Sequence, residues 1–253
     1  MYVYLYDNYL RQKKYDSLLK SIETKLTDYS IAGKIIRLQN FTNAERVVED
    51  EIKKGVSTVV IVGNDTTFGH VLSRAASCDV TFGFLPIGDN NNIANVLGIP
   101  ASEKAADILA RRRKVRLDVG WFNNRYFVSQ LHISPSNISV EYDERFRVSS
   151  NNKKMELVVC NLQPFSYKGK DEDVTIHPQD GKLEAFLRPV AKSSLFRKLK
   201  YEEPSIFPFE EMIVSSPSPF TVHADGKMSK ETKIKIKLAK SRIDMIVGRS
   251  RKF

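Results

Sequence analysis

Thr58-Val59-Val60-Ile61-Val62-Gly63-Asn64-Asp65-Thr66-Thr67 opens as an unbroken β-branched run and then breaks into a glycine and polar residues. A strand with no polar face is the pattern of one covered on both sides. The glycine and the polar turn end it, and a helix is predicted from about 67 to 76. A second stretch of the same kind follows, Gly83-Phe84-Leu85-Pro86-Ile87-Gly88-Asp89-Asn90-Asn91-Asn92-Ile93-Ala94. Two buried strands, each running through a tight turn into a helix, set the class of this half of the chain as α/β.

The flanks agree. Toward the N-terminus, Tyr2–Tyr6 reads as a short apolar strand, and Tyr15, Leu18, Leu19, Ile22 and Leu26 recur at helical spacing. Ile35 and Ile36 lie in another strand. Thr42-Asn43-Ala44-Glu45 has the form of a capping box, opening a helix that stops at Gly55. Residues 80–85 form the next strand, 93–97 a short helix, and 102–113 a helix with Ser102 as its N-cap. Strand and helix in alternation predict a mostly parallel sheet with helices on both faces. The texture changes after Arg113. Runs 115–122 and 126–133 flank Asn123-Asn124-Arg125, a hairpin signal. Strand-like runs continue at 138–148, 155–161, 174–177, 183–187, 212–215, 220–223, 234–238 and 243–247. Gly, Pro, Asn and Ser clusters separate them, which predicts an antiparallel β-sandwich. The expected organisation is an α/β domain at 1–113 and a β-sandwich domain at 114–253.

Composition excludes several classes. Of 253 residues, 42% are hydrophobic and 28% charged, ordinary globular usage that rules out disordered and collagen-like chains. Two cysteines form no disulfide framework, so a reducing compartment is expected. Uncharged stretches such as 55–64 and 80–88 fall far short of the ~20 apolar residues of a membrane span. The first residues lack the basic start and apolar core of a signal peptide. A soluble, cytoplasmic chain is the expectation. The net charge is +10. Residues 227–253 hold ten basic and two acidic side chains. Lys233, Lys235 and Lys237 alternate with Ile234, Ile236 and Leu238, placing the lysines on one strand face. Guarding a strand edge is the plain use of such lysines. Without interleaved aromatics the pattern does not suit single-stranded nucleic acid. A peripheral anionic membrane surface suits it better.

No GxxxxGK[ST], HExxH, GxSxG or GxGxxG occurs, and the four histidines lie far apart. Hydrolase-type nucleophiles and zinc sites therefore have no support. The two turns remain. In a parallel sheet they lie at the carboxyl ends of strands, where ligands bind in open α/β folds. Backbone N–H groups and helix N-termini there suit phosphate. Taken singly, each is also an ordinary turn of turn-forming residues.

In order along the chain, these segments resemble the diacylglycerol kinase catalytic-domain family, lipid kinases distantly related to NAD kinases. Gly63-Asn64-Asp65-Thr66-Thr67 stands for its GGDGT, and Pro86-Ile87-Gly88-Asp89-Asn90-Asn91-Asn92-Ile93-Ala94 for its P-x-G-T-x-N-D-x-A. Leu117-Asp118-Val119-Gly120-Trp121-Phe122-Asn123-Asn124-Arg125-Tyr126-Phe127 is similar to the strand that follows. Cys160-Asn161, His177-Pro178-Gln179-Asp180-Gly181-Lys182-Leu183 and Asp225-Gly226 match later landmarks. The resemblance implies a two-domain lipid kinase. ATP and Mg²⁺ would sit between the α/β domain and the sandwich, with a lipid hydroxyl such as that of diacylglycerol as acceptor. It implies catalytic positions at Asp65, Asp225 and Lys227. It implies nucleotide contacts from Asn8, Gly63, Asn64, Asp65, Thr66, Thr67, Gly88, Asp89, Asn90, Asn91 and Asn92, and a magnesium ligand in Asp180.

The departures carry expectations of their own. Asp7-Asn8-Tyr9-Leu10 replaces the family's first loop, leaving only Asn8 to match. Thr66 replaces a glycine, and a β-branched residue resists the left-handed region, so the loop is predicted to change shape. Asp89 replaces a threonine and Asn92 an aspartate. Lys227 replaces the glutamate of DGE, the family's general base, and a protonated lysine cannot accept a proton. The second reading is therefore a kinase-like module that holds nucleotide or anionic lipid without phosphoryl transfer.

Overall fold

The computed structural model describes residues 1–39, 42–144, 146–149, 153–162, 176–192 and 199–253. The chain divides into two compact units, 1–117 with 241–253, and 118–240.

In the first unit the elements run β1 (Tyr2–Tyr6), α1 (Asp16–Asp28), β2 (Lys34–Arg37), α2 (Ala44–Ile52), β3 (Thr58–Gly63), α3 (Asp65–Ala75), β4 (Thr81–Pro86), α4 (Asn92–Val96), α5 (Ala105–Arg111) and β5 (Lys114–Leu117). The sheet order is β2-β1-β3-β4, then a strand at Ile243–Ile246, then β5. All neighbours are parallel except the Ile243–Ile246 and β5 pair. Every residue of β3 and β4 is buried, as near-continuous apolar runs without a polar face require. Helices supply the cover. Leu19, Ile22 and Leu26 form the buried stripe of α1, and α3 buries Phe68, Val71, Leu72 and Ala75. Phe68 meets Phe84 of β4 with ring centroids 5.0 Å apart. Each such side chain, removed from water, contributes roughly 1.5–3 kcal/mol.

Two helix starts differ from the sequence reading. The cap of α2 is Asn43, whose carboxamide oxygen accepts from the Glu45 and Arg46 amides, whereas the Thr42 hydroxyl accepts from the Gln39 amide at 2.8 Å. Helix α5 starts at Ala105 with Lys104 as cap, and Ser102 instead accepts from the Lys104 amide. Gly55 does adopt the left-handed conformation, at φ +87°.

The second unit is an antiparallel β-sandwich. Its strands are β6 (Gly120–Phe122), β7 (Arg125–Phe127), β8 (Gln130–Ser136), β9 (Ser139–Tyr142), β10 (Phe146–Ser149), β11 (Lys154–Cys160), β12 (Leu183–Lys192), β13 (Leu199–Tyr201), β14 (Ser205–Phe209), β15 (Glu211–Ala224) and β16 (Lys227–Leu238). The main path is β13-β12-β11-β8-β15-β16-β6-β7. Alternation along β11 sends Leu157 and Val159 into the main core with Phe127, Ile133 and Phe220. Val158 and Cys160 face the other way, onto Ile176 and Phe186.

Several runs resolve differently from their reading. Run 115–122 is two strands in two sheets, broken at Asp118-Val119. Run 138–148 is a hairpin, β9 against β10, turning at Asp143-Glu144 with both φ near +50°. Runs 212–215 and 220–223 are one strand with a register shift between Ser215 and Phe220. Of the strand expected at 174–177, residues 174 and 175 lie outside the described residues, and Ile176-His177 is not a strand. The run at 243–247, read as part of the sandwich, pairs with β4 and β5 in the first unit's sheet.

Candidate functional site

Within the first unit, the carboxyl ends of β1, β3 and β4 carry three turns that are tied to one another. Asn64 caps α3, its side-chain oxygen accepting from the Thr66 and Thr67 amides at 3.1 and 3.2 Å. Thr67 accepts from the Asn64 amide in return and donates to the Asp7 carboxylate at 2.7 Å. Gly63 is required here, because a Cβ would stand 2.3 Å from Thr67 Oγ1. Asp65 joins this turn to the next. Its carboxylate accepts from the Asn92 amide at 2.8 Å and the Ile93 amide at 3.1 Å, while its own amide donates to the Asn90 carbonyl. A carboxylate at a helix start is favoured by both hydrogen bonding and the helix dipole.

The second turn is held from below as well. Gly88 has φ +90° and Asn90 φ +61°. Asn91 donates to the Gly88 carbonyl at 2.6 Å, and its side-chain oxygen is buried with no hydrogen-bond partner. Tyr9 donates to the Ile87 carbonyl at 2.6 Å, and the hydroxyls of Tyr9 and Tyr15 lie over Gly88. Asn8 and Asp89 are exposed. Thr66 sits inside α3 with no positive φ, so its β-branch is accommodated by helical backbone at that position. Asn64 likewise is extended, at φ −114°. Sequence reasoning missed Asp7 and Tyr9; an aspartate and a tyrosine directly after the buried β1 were the available signal.

Chemically, the amides at the starts of α3 and α4 already have side-chain acceptors, and the carboxylates of the three turns are Asp7, Asp65 and Asp89. The buried Asn91 oxygen adds an acceptor suited to a hydroxyl or a metal-bound water. Among the described residues, no three His, Cys, Asp or Glu side chains form a metal-holding group.

Asp225, Lys227 and Asp180 belong to the second unit. Asp225 and Gly226, at φ +44° and +80°, form the tight hairpin turn between β15 and β16. The Asp225 carboxylate accepts from three successive amides, Val128 at 2.7 Å and Ser129 and Gln130 at 3.1 Å. Burial pushes this carboxyl up to about 6 against the pull of those donors. Lys227 opens β16 opposite Ala224 and is half-buried. Asn161 spans the same bend, donating to the Asp118 and Val128 carbonyls at 2.8 Å each. Asp180 accepts from the Lys182 amide, and Asp118 from the Gly181 amide at 2.8 Å. Burial, together with the Asp180 and Asp118 charges, pushes the Glu184 carboxyl up to about 7. Asp180 thus lies in an acidic neighbourhood without a three-ligand cluster.

Residues 4–122 match the model of the diacylglycerol kinase catalytic domain. That match spans a little under half of the chain, the first unit up to β5 and the first strand of the second. The diacylglycerol kinase of Bacillus subtilis (strain 168) is 29% identical over 91 residues, 34% of this chain and 30% of that protein. A protein of Enterobacter sp. (strain 638) named "Probable lipid kinase YegS-like" is 28% identical over 115 residues, 44% of this chain and 38% of that one. These matches thus span only 30% and 38% of the relatives' own lengths. The fold likeness is wider. The structure of a diacylglycerol kinase from Bacillus anthracis str. Sterne superposes with a TM-score of 0.77 at 17% identity, over 98% of this chain and 97% of that one. At that identity the likeness is one of fold.

Proposed function

We propose that this chain is an ATP-dependent lipid kinase that transfers a phosphoryl group to a lipid hydroxyl such as that of diacylglycerol. The observation that carries the reading is the pair of strand–turn–helix units of the family domain, cross-tied through Asp65 at the carboxyl edge of a parallel sheet. Phosphoryl transfer asks for positioning and charge neutralisation more than for covalent chemistry. Gly63, Asn64, Thr66 and Thr67 and the turn at 88–92 would frame the phosphates, with Asn8 beside them. Mg²⁺ is commonly held by phosphates plus one or two carboxylates. Asp65 and Asp89 are its candidates, and Asp180 a candidate for a separate ion in the sandwich. Asp225 serves as a positioning residue, fixing the 128–130 bend. Lys227, in the place of the family's glutamate, favours a second reading, in which nucleotide or anionic lipid is held without turnover. A cytoplasmic chain that meets an anionic membrane surface reversibly suits either one.

The test is a melting curve with millimolar ATP and Mg²⁺, followed by phosphorylation of diacylglycerol in mixed micelles. A ligand that binds the native state raises its stability. An unmoved melting temperature together with no labelled product overturns the kinase reading and the nucleotide-holding form of the second. A raised melting temperature with no product selects the second. K227E then separates a missing base from a new role: a positioned base is worth ~10²–10⁴-fold, so turnover rises if the base alone is missing.

A further inference from the structure

Past the carboxyl end of its last strand, the first unit has a cavity of about 540 Å³ lined by Arg111, Arg113, Arg249, Ile108, Val247 and Gly248, with Ser250 at its edge. No carboxylate is among the lining residues. Asp107, one turn before Arg111, is engaged by Lys25 at 3.2 Å and Tyr29 at 2.9 Å. Arg112, between the two lining arginines, is in the left-handed region at φ +48° and sends its guanidinium to Thr58 Oγ1 instead. The floor is built from backbone. Val247 donates to the Arg113 carbonyl, Gly248 to Leu97 and Lys252 to Val96, each at 2.9 Å. A Cβ on Gly248 would stand 1.9 Å from the Gly98 carbonyl oxygen, so the segment that bears Arg249 is pressed against the α4 turn.

We propose that this cavity is an anion site for a phosphate-bearing ligand, distinct from the turns around Asp65. Three like charges around one hollow repel each other unless an anion or salt offsets them. Guanidinium forks match phosphate oxygens in geometry as well as charge. The volume falls within the ~300–1,000 Å³ of small-molecule sites, enough for a diphosphate or a lipid headgroup. The site goes beyond the kinase reading and stands or falls separately from it.

The experiment uses the full chain, titrated calorimetrically with sodium pyrophosphate and sedimented with vesicles of phosphatidylglycerol in phosphatidylcholine. R113Q/R249Q is compared with K154Q/K200Q, which removes the same charge from the second unit away from its lysine face. All four side chains are exposed, so both variants should melt like the parent chain. The pocket variant is expected to bind at least about tenfold more weakly, and the control to bind as the parent does. Loss confined to pyrophosphate identifies a free phosphate ligand. Loss confined to vesicles identifies a headgroup. No binding of either probe, equal loss in both variants, or binding that survives R113Q/R249Q overturns the proposal, the last placing the anion elsewhere.

Discussion

Gly63 and Asp65 decide whether the candidate site holds its shape. The space beside Gly63 is filled by Thr67, whose hydroxyl links the α3 cap to Asp7. G63A must push Thr67 aside, and overpacking of this kind costs about 1–3 kcal/mol. A lowered melting temperature together with a weakened nucleotide response is the expected result. Asp65 needs a paired test, because its carboxylate caps α4 whatever else it does. D65A should lose about 1 kcal/mol as a lost cap, and D65N, which keeps one acceptor oxygen, should lose less. If D65N melts close to the parent yet gives no ATP·Mg²⁺ shift, the negative charge serves the metal. If both variants keep the shift, Asp65 is a strut alone. The polar turn itself was legible from sequence, since a buried strand ending in Gly-Asn-Asp leaves few alternatives. Its wiring was not. Whether Thr42 or Asn43 caps α2 depends on which side chain Gln39 has already engaged, and adjacent cap formers look alike in a sequence.

Among elements, the sandwich strands show what periodicity can and cannot read. The apolar pattern located the sandwich strands except β13 and β14, but not where one strand stops and another begins. Run 126–133 is broken because Asp225, far along the chain, takes the amides of Val128, Ser129 and Gln130 away from a ladder. Run 115–122 is broken at buried Asp118, whose amide donates to the Pro178 carbonyl. Both breaks are caused by distant partners, so no local pattern marks them. A charged tie across three strands gives the pH test. Glu156 of β11 accepts from Arg188 of β12 and pairs with His132 of β8 at 2.9 Å. Burial works to raise this carboxyl, but the His132 and Arg188 hydrogen bonds hold it below the ordinary glutamate range. A depressed folded-state value means the stabilisation is present above about pH 4.3, the unfolded value, and is lost as pH falls through the folded one. Melting temperature measured from pH 7 down to 3 should drop for the parent. E156Q should start lower at pH 7 and drop less over that window. A parallel pair of curves would show that the tie contributes nothing.

For the molecule as a whole, the last strand changes the meaning of the C-terminal segment. Ile243–Ile246 inserts between β4 and β5, with Ile243 opposite Leu117 and Ile246 opposite Lys114. The second unit is therefore an insertion, leaving the first unit after Leu117 and returning to it at Ser241. Its own ends are also closed on each other: Gly120 pairs with Leu238, and Ala239 donates to the Val119 carbonyl at 2.7 Å. Sequence could not show this, because an apolar four-residue strand carries no mark of the sheet it will join. The consequence is testable by cutting the chain. Removing 241–253 takes away a strand interior to the sheet and leaves β5 without its partner. That truncation should therefore fail to melt cooperatively, although it looks on paper like the loss of a basic tail. Replacing 118–242 by a two-residue Asn-Gly turn joins Leu117 to Ile243, residues that already face each other across an antiparallel pair, with the turn chemistry such a hairpin favours. The shortened chain should give a single cooperative transition by circular dichroism and keep the turns around Asp65 intact. A molten, non-cooperative product would show instead that the first unit depends on the inserted sandwich for its stability.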